Sequence, residues 1–326
     1  MLAPLVWYSV AFLVYVLLYD YYRHRILKER TTSDLLKTLE NTQFNSIPTS
    51  KKKLFVDIKK EIHRCFDFKS IRVIFGIDFS ASNEWQGRKT FNGQFLHKTD
   101  ANKIYNPYQK AITQLGDIFQ DVFPKPIGYS CFGFGDQQTK DFSFFPIVGS
   151  GEAYNNYQLV LEAYLEQTKD IASSGPTNYA PIIQALISHG IRCERDFTML
   201  VILTDELKMS HEDNSLVEAI YTLSNLPNTC LLVVGVGDGP WQKLSYEEHC
   251  LRELVFKKKH QNKKKFAQKG IVQSYILFDN FHFVDFNTLA LKSDKIANEN
   301  YLARAVLAKL PTQFKQACLT KEDEYF

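Results

Sequence analysis

The sequence predicts an α/β fold: a doubly wound, mostly parallel sheet with helices on both faces. Three observations predict it. The runs IRVIFGID (Ile71–Asp78) and FTMLVILTD (Phe197–Asp205) are continuously apolar, β-branched or aromatic, the pattern of strands buried on both faces. Between such runs lie segments with apolar residues at helical spacing, for example Ala111, Ile112, Leu115, Ile118, Phe119 and Val122. Strands that alternate with helices in this way imply a parallel sheet covered on both sides. The third observation is bulk: 326 residues, 45% hydrophobic and 23% charged, suffice for one large α/β domain plus an appendage, or for two small domains.

Taken in order, the chain opens on MLAPLVWYSVAFLVYVLLY, Met1 to Tyr19, which carries no charged side chain. Such a run is about long enough to cross a bilayer as a helix. Trp7 and the tyrosines suit the interfaces, and Arg23, Arg25, Lys28 and Arg30 come directly after the run. That basic flank orients the remainder of the chain toward the cytosol. A cleaved signal peptide would show a basic start and a small-residue cleavage site, and neither is present. The expectation is a single-pass anchor at 1–19, in a membrane the sequence does not specify, with the domain in the cytosol. Residues 20–70 read as basic flank and stalk, the polar stretch 31–68 holding one or two short helices.

The domain is expected over 71–318. After the first strand, NPYQKAITQLGDIFQDVF reads as a helix capped by Asn106 with Pro107 in its first turn. Strands come next at IGYSCFGFG and, briefly, FSFFPI, then helices at NYQLVLEAYLEQTKDI and YAPIIQALISHGI. The second apolar strand is next, then helix SLVEAIYTLSNL and strands TCLLVVGVG and FHFVDF. Helix ENYLARAVLAKLPTQF precedes a tail at 319–326.

A net charge of +3 is too small to imply a nucleic-acid partner. The six cysteines form no CxxC pair, so neither a zinc site nor a redox motif is suggested. Cys131 and Cys230 lie in apolar runs and read as buried free thiols. The absence of an N-x-S/T acceptor agrees with a reduced cytosolic setting.

Ligands of such sheets bind beyond the carboxyl ends of the strands, where strand order reverses. Asp78 and Asp205 end two different strands, and Ser80 and Ser82 stand on the loop leaving the first. A third loop, SSGPTNYAP, brings Thr177 in front of a helix. Each has an ordinary reading alone: a turn for DFSAS, a helix cap for Thr177, a loop acid for Asp205. Together, three hydroxyls, two carboxylates and water make a hard, near-octahedral shell suited to Mg²⁺.

DFSAS, the later GPT and the strand-final TD resemble the metal-ion-dependent adhesion site of von Willebrand factor type A domains. SNEW…G…F…LH…NPYQKAI, CFGFGD, GVGDGPW and FDNFHFVDF resemble the copine-type A domain, especially that of plant RING-domain ubiquitin ligases. The likeness runs from about Ile71 to about Gln316 with one interruption. It implies that Asp78, Ser80, Ser82, Thr177 and Asp205 hold Mg²⁺ or Mn²⁺, an aspartate often acting through water. A vacant coordination position then accepts a carboxylate from a partner protein, since a metal held largely by neutral oxygens stays electrophilic. The family usually has Gly after the strand-final aspartate; here Glu206 stands there and could crowd or satisfy the metal. Neither C2 modules before the domain nor a RING after it is seen in this sequence.

Rival signals are weaker. A phosphoryl-accepting Asp78 wants a second carboxylate two residues on, where Ser80 stands. No G-x-S-x-G elbow exists, and GVGDG, with Pro240 directly after it, does not complete G-x-G-x-x-G. FGFGD reads as a sharp strand exit that lets backbone approach the site. The insertion at 256–270, with Lys257, Lys258, Lys259, Lys263, Lys264 and Lys265, reads as a solvated loop or a contact with anionic lipid. No aromatic platform interleaves these lysines, so no nucleic acid is expected. The sequence therefore reads as a metal-dependent protein-binding module and not an enzyme. The alternatives are an adaptor recruiting substrate to a RING on another chain and an architectural domain without metal-dependent binding.

Overall fold

The structure is a computed structural model and describes residues 49–99, 104–124, 127–147, 153–206, 213–241, 243–268, 277–290 and 295–323. Its centre is a six-stranded sheet in the order β3-β2-β1-β4-β5-β6. The strands are β1 (Ser70–Asp78), β2 (Ile127–Phe134), β3 (Phe145–Pro146), β4 (Asp196–Thr204), β5 (Thr229–Gly235) and β6 (Phe281–Asp285). All neighbours are parallel except the short edge strand β3, which runs antiparallel to β2. The expected doubly wound, mostly parallel sheet is therefore present.

Alternation along β1 explains the two-sided core. Ile71, Val73, Phe75 and Ile77 join one buried cluster with Leu115, Phe119, Leu307 and Phe314. Leu200 and Ile202 of β4 point the other way, into a cluster with Ile183, Leu186, Ile220 and Leu251. Each such side chain contributes about 1.5–3 kcal/mol by leaving water.

The helices are α1 (Thr49–Cys65), α2 (Pro107–Val122), α3 (Tyr157–Gln167), α4 (Ala180–Arg192), α5 (Asn214–Leu223), α6 (Leu244–Gln268), α7 (Phe286–Ala290), α8 (Lys295–Leu307) and α9 (Leu310–Asp323). α2 starts as expected: the Asn106 carboxamide accepts from the Gln109 N–H while the Gln109 side chain accepts from the Asn106 N–H, with Pro107 in the first turn. These bonds satisfy two of the donors a helix start leaves unpaired.

Several expectations are corrected. The single-pass membrane placement is overturned: among the described residues no helix is long and apolar enough to cross a membrane. Residues 1–19 themselves lie outside the described residues. The stretch read as a stalk with one or two short helices does hold a helix, the 17-residue α1, but α1 packs on α8 and α9 and buries Ile62 completely. Phe66 and Phe68 continue this contact against Phe314. The lysine-rich stretch is not a loop, because most of it lies in the 25-residue helix α6. Lys258 pairs with Glu218 of α5, and Lys257 lies 3.7 Å from Glu253. The single C-terminal helix is two, since Pro311 lacks an N–H and its ring would clash with the carbonyl of Leu307 in a continuous helix.

Candidate functional site

The chain leaves β1 toward β2 on one side, while β4 leads to β5 on the other. Strand order thus reverses between β1 and β4, and their carboxyl ends form the crevice where such sheets bind ligands. Asp78 and Asp205 stand there, both fully buried.

Asp78 is held on every side. Its Oδ1 accepts from the Ser80 N–H at 2.9 Å and its Oδ2 from the Thr204 hydroxyl at 2.6 Å. Its backbone carbonyl accepts from His97 Nε2 at 2.9 Å, the Tyr108 hydroxyl at 3.1 Å and Asn83 Nδ2 at 3.1 Å. Asn83 also donates to the Ser80 carbonyl at 2.9 Å, which fixes the loop as it turns into the short 3₁₀ helix Ala81–Glu84. The Ser80 and Ser82 hydroxyls lie 2.9 Å apart in this buried turn.

His97 is stacked between Phe79, at a centroid distance of 4.6 Å, and Tyr108, at 4.1 Å. Burial lowers its pKa to about 3, so the ring is neutral. A carbonyl can only accept, so Nε2 carries the proton and Nδ1 accepts from Tyr164, whose hydroxyl lies at 2.8 Å. The imidazole is an internal strut of the loop.

Asp205 contrasts with Asp78. Neither of its carboxylate oxygens has a hydrogen-bond partner among the described residues. Burial first, and then the charge of Asp78, push its pKa up; the Ser82 hydroxyl nearby opposes the shift, and the Glu206 charge adds to it. The Glu206 carbonyl accepts from the Tyr179 hydroxyl at 3.0 Å, and that hydroxyl lies 2.7 Å from Thr204, whose single proton goes to Asp78. The backbone at the β4 exit is thereby pinned.

The third loop reaches the site through backbone pairing. The Ala81 N–H donates to the Ser174 carbonyl at 2.5 Å, and the Ser174 N–H to the Gly135 carbonyl at 3.3 Å. Thr177 stands three residues on, its hydroxyl oxygen buried and without a hydrogen-bond partner among the described residues. It does not cap α4, whose N-cap position is Tyr179; the Asn178 carboxamide just before that position accepts from the Ala180 N–H at 2.8 Å.

Two glycines let neighbouring strand exits close in. Gly135 has a φ of +80°, and a Cβ there would stand 3.2 Å from both Asp78 Oδ1 and the Ser80 nitrogen. A Cβ on Gly237 would stand 2.6 Å from the Asp205 carbonyl. Asp238, inside GVGDG, accepts from the Lys89 and Thr90 N–H groups at 2.9 Å each and from the Thr90 hydroxyl at 2.7 Å. That motif tethers a loop and holds no nucleotide fingerprint. Gly135→Ala should cost about 1–3 kcal/mol in backbone strain and displace Asp78. Thermal unfolding should show a lower melting temperature than wild type, with the circular dichroism spectrum unchanged.

Among the described residues no group of three or more His, Cys, Asp or Glu side chains is placed to hold a metal. A cation in the crevice would rest on two carboxylates and on hydroxyls. Two buried carboxylates side by side, with Asp205 and Thr177 oxygens unpaired, suit a small, hard divalent ion.

The sequence matches the family model described as Copine over residues 95–323. The chain belongs to the copine family. The match includes Thr177 and Asp205 but begins after the Asp78 loop. Similar copine relatives include Copine family protein 1 of Caenorhabditis elegans, 31% identical, with 92% of this chain and 24% of that protein covered. E3 ubiquitin-protein ligase RGLG1 of Arabidopsis thaliana is 32% identical, covering 76% of this chain and 47% of that protein. The chain thus spans about half, or less, of the length of these relatives. Among solved structures, manganese-loaded Plasmodium vivax TRAP protein is 15% identical at a TM-score of 0.37, covering 68% of this chain and 70% of that one.

Proposed function

We propose that this copine-family domain is a divalent-metal-dependent protein-binding module. In this reading Asp78, Ser80, Ser82, Thr177 and Asp205 hold Mg²⁺ or Mn²⁺, and the ion captures an acidic residue of a partner protein. The observation that carries it is the pair Asp78 and Asp205: two fully buried carboxylates at the strand-order reversal, one fully hydrogen-bonded and the other without a partner among the described residues. Burying a second charge beside Asp78 is costly, which is why the Asp205 pKa is raised, and a counter-ion that joins the pair removes that cost. The ion supplies a Lewis-acidic position that exchanges water for a carboxylate; the chain's part is to hold its ligands rigid. The surroundings suit a protein partner. Trp85, whose N–H donates to the Ser82 carbonyl, is 49% exposed, and Phe142 beside the Asn178-bonded Asp141 is 75% exposed.

The test is thermal unfolding across millimolar Mg²⁺ or Mn²⁺ against chelator. A site filled at a hundredfold excess over Kd should add about 2.7 kcal/mol. Equal melting temperatures in both conditions would leave the architectural reading in place. Partner capture from cell extract should likewise be lost in chelator.

Glu206 stands directly after the proposed ligand Asp205. Its carbonyl accepts from the Tyr179 hydroxyl, and we place its side chain pointing away from the ion. Glu206→Gly should then leave Mg²⁺ affinity unchanged in a calorimetric titration. A severalfold weaker affinity in the glycine variant would mean that the side chain curls back and occupies the partner's position.

A second reading, favoured by relatives named as E3 ubiquitin-protein ligases, is an adaptor that brings substrate to a RING on another chain. Ligase subunits among the captured proteins would support it.

A further inference from the structure

One face of the sheet is unevenly covered. On the face bearing α4 and α5, helix α4 packs on β4 and β5. Four β1 and β2 residues of that face, Arg72, Ile74, Gly128 and Phe132, are only half-buried, whereas Ile71, Val73, Tyr129 and Cys131 on the other face are buried. Between the flank of α4 and these strands lies a partly open cavity of about 210 Å³. It is far from the Asp78 crevice along β1, since Arg72 sits near the strand's start and Asp78 at its end.

The lining is divided by chemistry. Phe132 and Phe144, edge to face at 5.4 Å, form one wall with Ile74, and Leu186 of α4 faces them. Arg72, Arg192, His189 and Ser130 supply the polar part, and among the described residues no acid lines the space. Ser130 is 2% exposed, yet its hydroxyl has no hydrogen-bond partner among the described residues, and neither has the buried His189 Nε2. A buried hydroxyl without a partner costs about 1–3 kcal/mol, a cost that a ligand's acceptor removes. The electrostatics agree: burial, then the charges of Arg72 and Arg192, lower the His189 pKa against the opposing pull of Asp196.

We infer that this cavity is a binding site for a small organic anion, a carboxylate with an apolar body, its head group paired with Arg72 and Arg192 and bonded to Ser130. Its volume decides the size class. At about 30 Å³ per water of liquid it holds roughly seven waters' worth, the size of a ring bearing one carboxylate. Two guanidinium groups match a planar carboxylate, and the aromatic wall takes the ring. The site needs no metal and is independent of the crevice between β1 and β4.

The experiment titrates the full chain, in chelator, with benzoate, benzamide and inorganic phosphate, following backbone amide resonances and heat. Benzoate should bind saturably and shift the amides of Arg72, Ser130 and His189. Benzamide, which lacks the charge, and phosphate, which lacks the ring, should each bind at least tenfold more weakly. Arg72→Met should weaken benzoate at least tenfold without lowering the melting temperature, and Ser130→Val should do the same by filling the floor. Arg192 is exposed, so Arg192→Gln gives the same reading should either core variant misfold. Absence of saturable shifts, equal binding of benzamide or phosphate, or undiminished benzoate binding in Arg72→Met and Arg192→Gln would overturn the assignment.

Discussion

Asp205→Asn should make the metal-free protein more stable and at the same time erase its response to Mg²⁺. The wild-type carboxylate is fully buried, has no hydrogen-bond partner on either oxygen among the described residues, and lies beside Asp78. Replacing it with a neutral amide of nearly the same shape removes the cost of either burying a second charge beside Asp78 or taking up a proton to avoid it. Relief of that cost should stabilise the chelated protein by about 1–3 kcal/mol. That corresponds to a rise of roughly 2–10 °C for a domain of this size. In Mg²⁺ the gap should close or invert, since the proposed site would give wild type about 2.7 kcal/mol at a hundredfold excess over Kd and the variant nothing. The pH dependence has a fixed sign. Asp205 binds its proton more tightly folded than unfolded, so its contribution is lost as pH rises through the raised value, and the variant's advantage grows toward alkaline pH. Melting curves of both proteins in chelator and in Mg²⁺ decide it. A variant less stable than wild type in chelator would mean that Asp205 has a structural partner, and a variant still stabilised by Mg²⁺ would remove Asp205 from the metal shell.

Why the two aspartates differ is not legible in the chain. The sequence shows an acid at the end of each of two apolar runs, and strand alternation with the edge rule for doubly wound sheets suffices to bring them together. Which acid is satisfied depends on Thr204, one residue before Asp205, whose hydroxyl donates across the crevice to Asp78. That bond joins residues 126 positions apart, and no local pattern announces it. The same limit applies to Tyr164 and Tyr179, which sit inside helical patterns as ordinary apolar residues but whose hydroxyls complete the support of the site. Asn83 and Gly135 are more readable, because they lie within the stretches that resemble the copine A domain. Two departures from the sequence reading have identifiable physical causes. Self-repulsion makes the lysine block read as a loop, yet its first part lies in a helix whose Leu251 and Val255 are buried in the core and whose lysines meet acids on α5 and on α6 itself. Polarity makes residues 31–68 read as a stalk, and α1 does carry few apolar residues. Ile62, with Ile58 beside it and the two phenylalanines just beyond the helix, packs on the core, and His63 bonds to the Val122 carbonyl.

His97 is where the site and the core share one side chain, and its substitution should separate hydrogen bonding from packing. His97→Ala removes a fully buried ring from between Phe79 and Tyr108 and should cost about 3–5 kcal/mol, as aromatic truncations in cores do. His97→Phe keeps the stack but deletes both ring nitrogens. The Asp78 carbonyl keeps Tyr108 and Asn83 as donors, while Tyr164 loses its acceptor and is left with Asn106 at 3.4 Å. The expected loss is about 1–3 kcal/mol, with a weakened Mg²⁺ affinity because the Asp78 loop has lost one of its struts. The two effects have different pH signatures. The His97 pKa is about 3 in the folded protein against an ordinary value of 6.5, so between these values the unfolded chain binds one more proton. Stability from the neutral ring is complete above about pH 6.5 and falls by about 1.4 kcal/mol per pH unit below it. His282, buried and lowered in the same way, and Asp205, which works in the opposite sense, are common to both proteins and cancel in the difference. A phenylalanine variant about 2 kcal/mol less stable at neutral pH should therefore draw level with wild type near about pH 5. Denaturant unfolding of both proteins across the mildly acidic range measures the crossing. A deficit that stays constant over that range would mean that His97 is charged in the folded state and that its role as a neutral strut is wrong.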